Sequence, residues 1–503
     1  MRDEGAARLL FPAIRWDPEA GFAPARDAAA AALDLGVGGF IVFGGEAAVA
    51  RDLIADLRVR SAHPLLIGAD LERGAGQQFR GATALPPLAA IGHLDDLDET
   101  RRAGALTGRE ALALGVDWVY GPVADLDVEP RNPIVGTRAL GARPAMVAEH
   151  VRAWVEGCQS TGALACAKHF PGHGRTTTDS HAGLPVVDAA PRALEDDLRP
   201  FAAAIRAGVA SVMSAHVAYP AWDPSGVPAT LSRAILGGLL RERLGFAGIV
   251  VTDAMIMEGV LTGVGAGGGG DAPGVRALAA GCDALLYPQD PAALLRAVES
   301  ALVAGVLDAG RVRRSVARIA AAAEAAGAAR ADRGEWGRPE DRDWASSVAR
   351  RALVELAGRV ELPAGATVVV HDVDDDLGGP HPPPPRTPFP EALRRAGMRV
   401  SHAPDPRAAG RPVAADRGDG ARHVVAVYAD IRAWKGRPGL SEAALAAVAR
   451  ALDAHPQALV AVFAHPRLAG GLDASRMLAA WGGEPIMQEA VAAHVAARPR
   501  GAP

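Results

Sequence analysis

At 503 residues the chain is too long for one hydrophobic core, so two or three domains are expected. A 49% hydrophobic and 22% charged composition is that of an ordinary globular protein, and a net charge of −5 argues against a nucleic-acid partner, which needs a basic face. No apolar stretch approaches the roughly 20 residues of a membrane span, and the N-terminus lacks a signal-peptide pattern. Three unpatterned cysteines, Cys158, Cys166 and Cys282, read as buried free thiols, so a cytoplasmic setting is expected.

Short apolar runs alternate with helix-like stretches from residue 9 to about 305. The strand-like runs are 9–14, 38–43, 64–69, 118–123, 164–169, 211–216, 248–252 and 283–287. Segments 100–114, 146–160, 194–207 and 232–244 have the length and period of helices between them. Eight such alternations predict an α/β chain with a (β/α)8 barrel of the triosephosphate-isomerase type. An open doubly wound sheet is the competing architecture. Polar residues at the ends of several runs favour the barrel: Asp70, Asp125, Lys168 with His169, His216 and Asp253. A barrel gathers such positions at one mouth, whereas strands across an open sheet do not converge so widely.

The barrel is assigned to 1–328, a polar linker to 329–345, and a smaller α/β domain, sandwich-like in the αβα sense, to 346–503. Its expected strands are 367–371, 423–428 and 458–464, with a helix over 441–454. The acidic run 374–376 and the HPPPP stretch at 381–385 read as solvated loop. The glycine-rich patch 265–270 reads as a flexible loop.

The densest chemistry lies in KHFPGHGRTTTDSH at 168–181, with three histidines, one lysine and one aspartate in fourteen residues. Two residues apart in an extended loop, Asp179 and His181 project to one side. A carboxylate beside an imidazole fixes its tautomer and raises its basicity, giving a proton-transfer pair. The histidine spacing fits no usual zinc pattern, and no metal or organic cofactor is expected. Lysine occurs only at 168 and 435; the rest of the 53 basic residues are arginine, so each lysine invites a chemical reason. A packing or loop-supporting role is expected for Lys435.

Asp253 in VTDAM at 251–255 follows a buried run and is a candidate nucleophile, with a helix N-cap as the plain alternative. Met255 and Met257 read as packing residues and Glu258 as helix surface. Asp70, in GADLERGAGQQF at 68–79, suits hydrogen bonding to sugar hydroxyls, with a loop-capping aspartate as the plain alternative, and Glu72 reads as an ion-pair partner. Arg138 ends a proline-stiffened loop and is a donor to a polar substrate or one half of a structural ion pair. His216 is a supporting candidate; His63, His150, His371 and His402 read as satisfied residues without function.

These segments resemble glycoside hydrolase family three, in its bacterial β-N-acetylglucosaminidase branch. The resemblance rests on 168–181 and 251–255, with support from ADLERGAGQQ at 69–78, NPIVGTRALG at 132–141 and AGCDALLYPQDP at 280–291. It covers about 5–325 and extends, through HVVAVYADIRAWKGRPGLS at 423–441, to the second domain of longer members. It implies a retaining mechanism in which Asp253 is the nucleophile, His181 the acid/base and Asp179 its dyad partner. It implies that Asp70, Arg138, Lys168 and His169 bind sugar hydroxyls, and that the dyad loop closes over substrate. Ala254 stands where many relatives carry a second acid, and DLERGAG replaces the usual D-x-E-G-G, changes that bear on substrate preference. The implied substrate is a small glycoside carrying N-acetylglucosamine, such as a muropeptide fragment in wall recycling, with no nucleic-acid or membrane partner. A phosphorylase or β-glucosidase on the same scaffold, and a non-catalytic sugar-binding barrel, are the alternatives.

Overall fold

A computed structural model of the chain describes residues 5–262, 273–329, 334–376, 383–403, 420–431, 435 and 437–496. The glycine-rich patch 265–270 lies outside them, as do the first two residues of HPPPP. The chain forms two compact units. The first comprises Met1–Ala84, Asp96–Glu129 and Ala139–Arg342; the second comprises Asp343–Pro503 with the short segments Leu85–Asp95 and Pro130–Arg138.

In the first unit, strands β1 (Leu10–Phe11), β2 (Ala13–Arg15), β3 (Gly39–Phe43), β4 (Leu66–Ala69), β5 (Trp118–Val119), β6 (Leu164–Phe170), β7 (Ser211–Ser214), β8 (Ile249–Thr252) and β9 (Leu285–Leu286) follow one another along the chain. Strands β2 to β8 form one parallel sheet in sequence order. A parallel bridge from Val251 to Ala284 and the pairing of β9 with β1 carry the ladder back to β2, the course of a TIM-like barrel. The strands are short and apolar because each is covered on one side by helices and on the other by the barrel filling. Phe11, Trp118 and Tyr120 are buried and meet edge to face, with ring centroids 5.3 and 5.1 Å apart. The Trp118 indole N–H is satisfied by Ser211 Oγ at 2.7 Å. Cys158, Cys166 and Cys282 are buried free thiols.

Helices Leu97–Leu114, Pro144–Gln159, Pro191–Arg206 and Ala234–Arg243 occupy the expected intervals. Asp96 caps the first by accepting from the N–H groups of Asp98 and Glu99. Among the described residues, no helix is long and apolar enough to cross a membrane. The expected linker is partly helical, because Pro339–Arg351 already forms a helix.

The second unit contains a six-stranded sheet built from β10 (Val354–Ala357), β11 (Thr367–Asp374), β12 (Arg399–His402), β13 (Arg422–Tyr428), β14 (Leu459–Phe463) and β15 (Met477–Ala479). Their order is β10-β15-β14-β13-β11-β12, parallel except for β10 against β15. Alternate side chains of one strand serve opposite faces. Val424, Ala426 and Tyr428 pack with Phe389, Leu393, Met487 and Val491, whereas Val425 and Val427 pack with Ala444, Ala447, Val448 and Ala451 of helix Glu442–Ala454.

The reading of 374–376 as solvated loop is overturned. Asp375 and Asp376 are buried at the end of β11. Arg386 Nη2 lies 2.6 Å from Asp376, and Arg437 Nη1 lies 2.6 Å from Asp375. Ser441, which caps the 442–454 helix, donates through Oγ to Asp375 at 2.7 Å. The compensating cations come from up to 62 residues away, beyond the reach of a local charge count. Lys435 belongs to this cluster: its buried ammonium donates to Asp376 at 2.8 Å and to the Asp430 carbonyl at 2.7 Å.

Candidate active site

The polar residues at the carboxyl ends of β4, β6, β7 and β8 all belong to the first unit. Asp253 follows Thr252, and its N–H donates to the Ser214 carbonyl at 3.3 Å. It does not cap a helix. Its Oδ1 accepts from the N–H of Ala254 at 2.8 Å, and the next helix begins only at Glu258, after Met257. Burial raises its carboxyl, but the imidazoles of His169, His216 and His181 and the Ala254 N–H outweigh that and bring it down to about 2. The side chain keeps 17% of its surface accessible, and His169 Nε2 stands 4.0 Å from Oδ2. Met255 and Met257 are buried in packing, and Glu258 is exposed.

Lys168 is buried, with its Nζ 2.7 Å from Asp70 and 2.7 Å from Glu72. Both lysines of the chain are therefore buried and ion-paired. A compact ammonium with rotatable donors suits such a position, where a planar guanidinium would need a wider cradle. His169 is oriented by Asp125, which accepts from its ring Nδ1 at 2.8 Å and from its backbone N–H at 3.2 Å. The same carboxylate accepts the His173 N–H at 2.6 Å.

Beyond His173 the chain is clasped by its own side chains. The Thr176 hydroxyl donates to the His173 carbonyl at 3.1 Å, so its oxygen faces the ring as acceptor for Nδ1–H at 2.8 Å. Nε2 then accepts from the Ser180 hydroxyl at 2.9 Å. Arg175 reaches Asp197 at 2.7 Å, and the Tyr219 hydroxyl donates to the Gly172 carbonyl at 2.6 Å. A side chain at Gly174 would strike the Leu126 carbonyl at 1.8 Å, so only glycine fits there.

This clasp leads to the dyad. Asp179 is buried, and its Oδ1 accepts from His181 Nδ1 at 2.7 Å and from the His181 N–H at 3.0 Å. His181 keeps 18% of its side chain accessible. The Gly259 N–H donates to the Ser180 carbonyl at 2.9 Å, joining the dyad segment to the turn after Asp253. A Cβ at Gly259 would come within 2.9 Å of the carbonyls of both His216 and Ser180. His216 Nε2 donates to the Ala254 carbonyl at 3.1 Å, and its Nδ1 faces Thr230 Oγ1 at 2.8 Å.

Burial, helped by the neighbouring His169 ring, outweighs the pull of the Asp125 and Asp253 carboxylates and brings the His173 imidazole from its usual 6.5 to about 4. The neutral ring is thus the folded form. Its contribution to stability is complete above about pH 6.5 and is lost as pH falls towards 4, in total on the order of 3 kcal/mol. Urea unfolding at pH 7.5 and pH 4.5 is expected to show a smaller loss for His173→Gln than for the parent chain. Equal pH dependence in the two would refute this assignment.

Six of the seven expected site residues, Asp253, His181, Asp179, Asp70, Lys168 and His169, thus belong to one unit. Arg138 ends a short helical turn, Gly136–Arg138, grouped with the second unit, and its Nη1 donates to the Ile134 carbonyl at 3.1 Å. Sequence reasoning left Asp125, Glu72 and His173 without site roles. Asp125 had a signal, since it comes shortly after the apolar run 118–123, although the strand itself is only Trp118–Val119.

Residues 3–322 match the model of the glycosyl hydrolase family 3 N-terminal domain. The chain is 35% identical over 297 residues to a β-N-acetylglucosaminidase/β-glucosidase of Cellulomonas fimi, covering 57% of this chain and 52% of that protein. It is 40% identical over 270 residues to a β-hexosaminidase of Thiobacillus denitrificans, covering 51% of this chain and 72% of the relative. Among solved structures, a family 3 β-N-acetylglucosaminidase from Paenibacillus superposes with a TM-score of 0.83 at 27% identity, over 99% of this chain and 96% of the other.

Proposed function

The chain belongs to glycosyl hydrolase family 3, and from that premise we propose that it is a retaining β-N-acetylhexosaminidase that removes terminal β-linked N-acetylglucosamine. The observation that carries this reading is the pairing of an acidified carboxylate, Asp253, with an imidazole backed by Asp179. Retaining hydrolysis needs a nucleophile and an acid/base on either side of the scissile bond.

Asp253 is the nucleophile. Ionised at neutral pH and with Oδ1 engaged by Ala254, it attacks the anomeric carbon through Oδ2 and forms a glycosyl ester. His181 uses Nε2, since Nδ1 faces Asp179. It protonates the leaving oxygen and then takes a proton from the attacking water. Asp70, Lys168 and His169 hold ring hydroxyls, with Glu72 and Asp125 fixing the last two. Arg138 matches a sugar-binding position of the family, and its role stands on that match. The second unit is read as an αβα domain, and the linker and domain limits expected from sequence remain part of this reading. Muropeptide-type fragments are the proposed natural substrates, in the reducing cytoplasm where three free thiols persist.

Aryl glycosides of N-acetylglucosamine and glucose, assayed with and without phosphate, test the reading. The expected result is β-configured N-acetylglucosamine released at a rate independent of phosphate. A phosphate-dependent sugar 1-phosphate would make the enzyme a phosphorylase, a rival kept alive because a neutral imidazole does not repel an anionic acceptor. Preference for the glucoside would make it a glucosidase, and no turnover of either would leave a sugar-binding barrel.

A further inference from the structure

The second unit holds a histidine cluster that the hydrolytic mechanism does not use. In the parallel pair β11 and β13, Val369 lies opposite His423 and His371 lies opposite Val425. His371 and His423 are thus diagonal neighbours on one sheet face, the face covered by helix Glu442–Ala454. His455 ends that helix, with its N–H donating to the Ala451 carbonyl. The reading of His371 as a satisfied residue fails here. His371 and His455 are 2% and 4% exposed. The Nδ1 of His371 and both ring nitrogens of His455 have no hydrogen-bond partner among the described residues. His371 Nε2 is 3.0 Å from His423 Nδ1, and the rings of His423 and His455 stack with centroids 3.5 Å apart.

We propose that His371, His423 and His455 form a binding site for a transition-metal ion, with Zn2+ as the best fit. One ring nitrogen from each histidine can be chosen so that all three lie within 4.8 Å of one another. Zinc binds imidazole at about 2.0–2.1 Å in tetrahedral geometry, which sets neighbouring ligand atoms about 3.4 Å apart. Side-chain rotation must close that difference. The stacked pair must splay, because each lone pair lies in its ring plane. Three imidazoles without a carboxylate suit Zn2+, Ni2+ or Cu2+ and not Mg2+ or Ca2+, which take oxygen ligands. Coordination would satisfy nitrogens that are otherwise buried at a cost. It would also pin β11, β13 and the end of the 442–454 helix to one another, so the ion's role is stabilisation of this unit.

The test uses the full chain, stripped with EDTA, dialysed, and titrated with Zn2+ by calorimetry and with Co2+ by visible absorption. One equivalent of metal, the intense bands of tetrahedral Co2+ and a raised melting temperature are expected. His455→Ala and His423→Gln should each weaken binding by more than the roughly 10–100-fold that loss of an outer partner costs. His181→Ala should bind as the parent chain does. Absence of binding, binding indifferent to the first two substitutions, or binding lost in His181→Ala would overturn the site. If those two variants do not fold, the nitrogen hyperfine pattern of Cu2+ on the parent chain decides: three equatorial imidazoles support the site and fewer refute it.

Discussion

Asp253→Ala is expected to lower kcat/KM for an aryl β-N-acetylglucosaminide by about 10⁴-fold or more, the scale seen when a nucleophile acting in a concerted group is removed. Without the carboxylate no glycosyl ester forms. The truncation leaves a space beside the Ala254 N–H, which had been donating to Oδ1. A small anion such as azide, added in excess, is expected to enter there and restore turnover. The product would be a glycosyl azide of inverted configuration, because the anion attacks once where the proposed retaining mechanism displaces twice. Asp253→Asn, equal in shape, should be as inactive as the alanine variant. Activity above a few per cent in either variant without azide, or an azide product of retained configuration, would remove Asp253 from its role.

His181→Ala is expected to cost about 10²–10⁴ in kcat/KM for substrates with poor leaving groups, the usual worth of a general acid. For a dinitrophenyl leaving group, which departs without a proton, the loss in kcat/KM should be under about tenfold. The second step still lacks its base, so that substrate should show a burst of phenol followed by slow turnover. The burst separates loss of acid catalysis from mere loosening of the loop, which would slow both steps for every substrate alike. Equal losses for good and poor leaving groups would count against His181 as the acid. Asp179→Asn is expected to share the leaving-group dependence, since a neutral amide supports the imidazolium less well than the carboxylate 2.7 Å from Nδ1.

The barrel was legible because its strands are short apolar runs punctuated by glycine and proline, which is what a parallel sheet buried on both sides requires. The second sheet was half legible. Strands β11, β13 and β14 sit in its interior and carry continuous apolar residues. Strands β10 and β12 are largely exposed and β15 has three residues, so none carries a pattern that a window of sequence can detect. In the site, Asp253, Lys168 and the Asp179–His181 pair declared themselves by local spacing or rarity. Asp125 showed its place after an apolar run but not its role, because its partners lie 44 and 48 residues away. His173 looked like one histidine among three. Only packing shows it to be the buried clasp on Thr176 and Ser180. The acidic run at 374–376 misled because its charges are balanced by side chains 10 to 62 residues further along the chain, outside the run itself.

The Asp125 carboxylate takes the N–H of His169 and the N–H of His173 on one oxygen and the His169 ring on the other. A single acid therefore sets the tilt of an imidazole beside Asp253 and the root of the segment that ends in His181. No substitution there can retune one without disturbing the other. Directed evolution towards a new sugar would do better to begin at Asp70, which makes no contact with Asp125 and whose lysine is held also by Glu72.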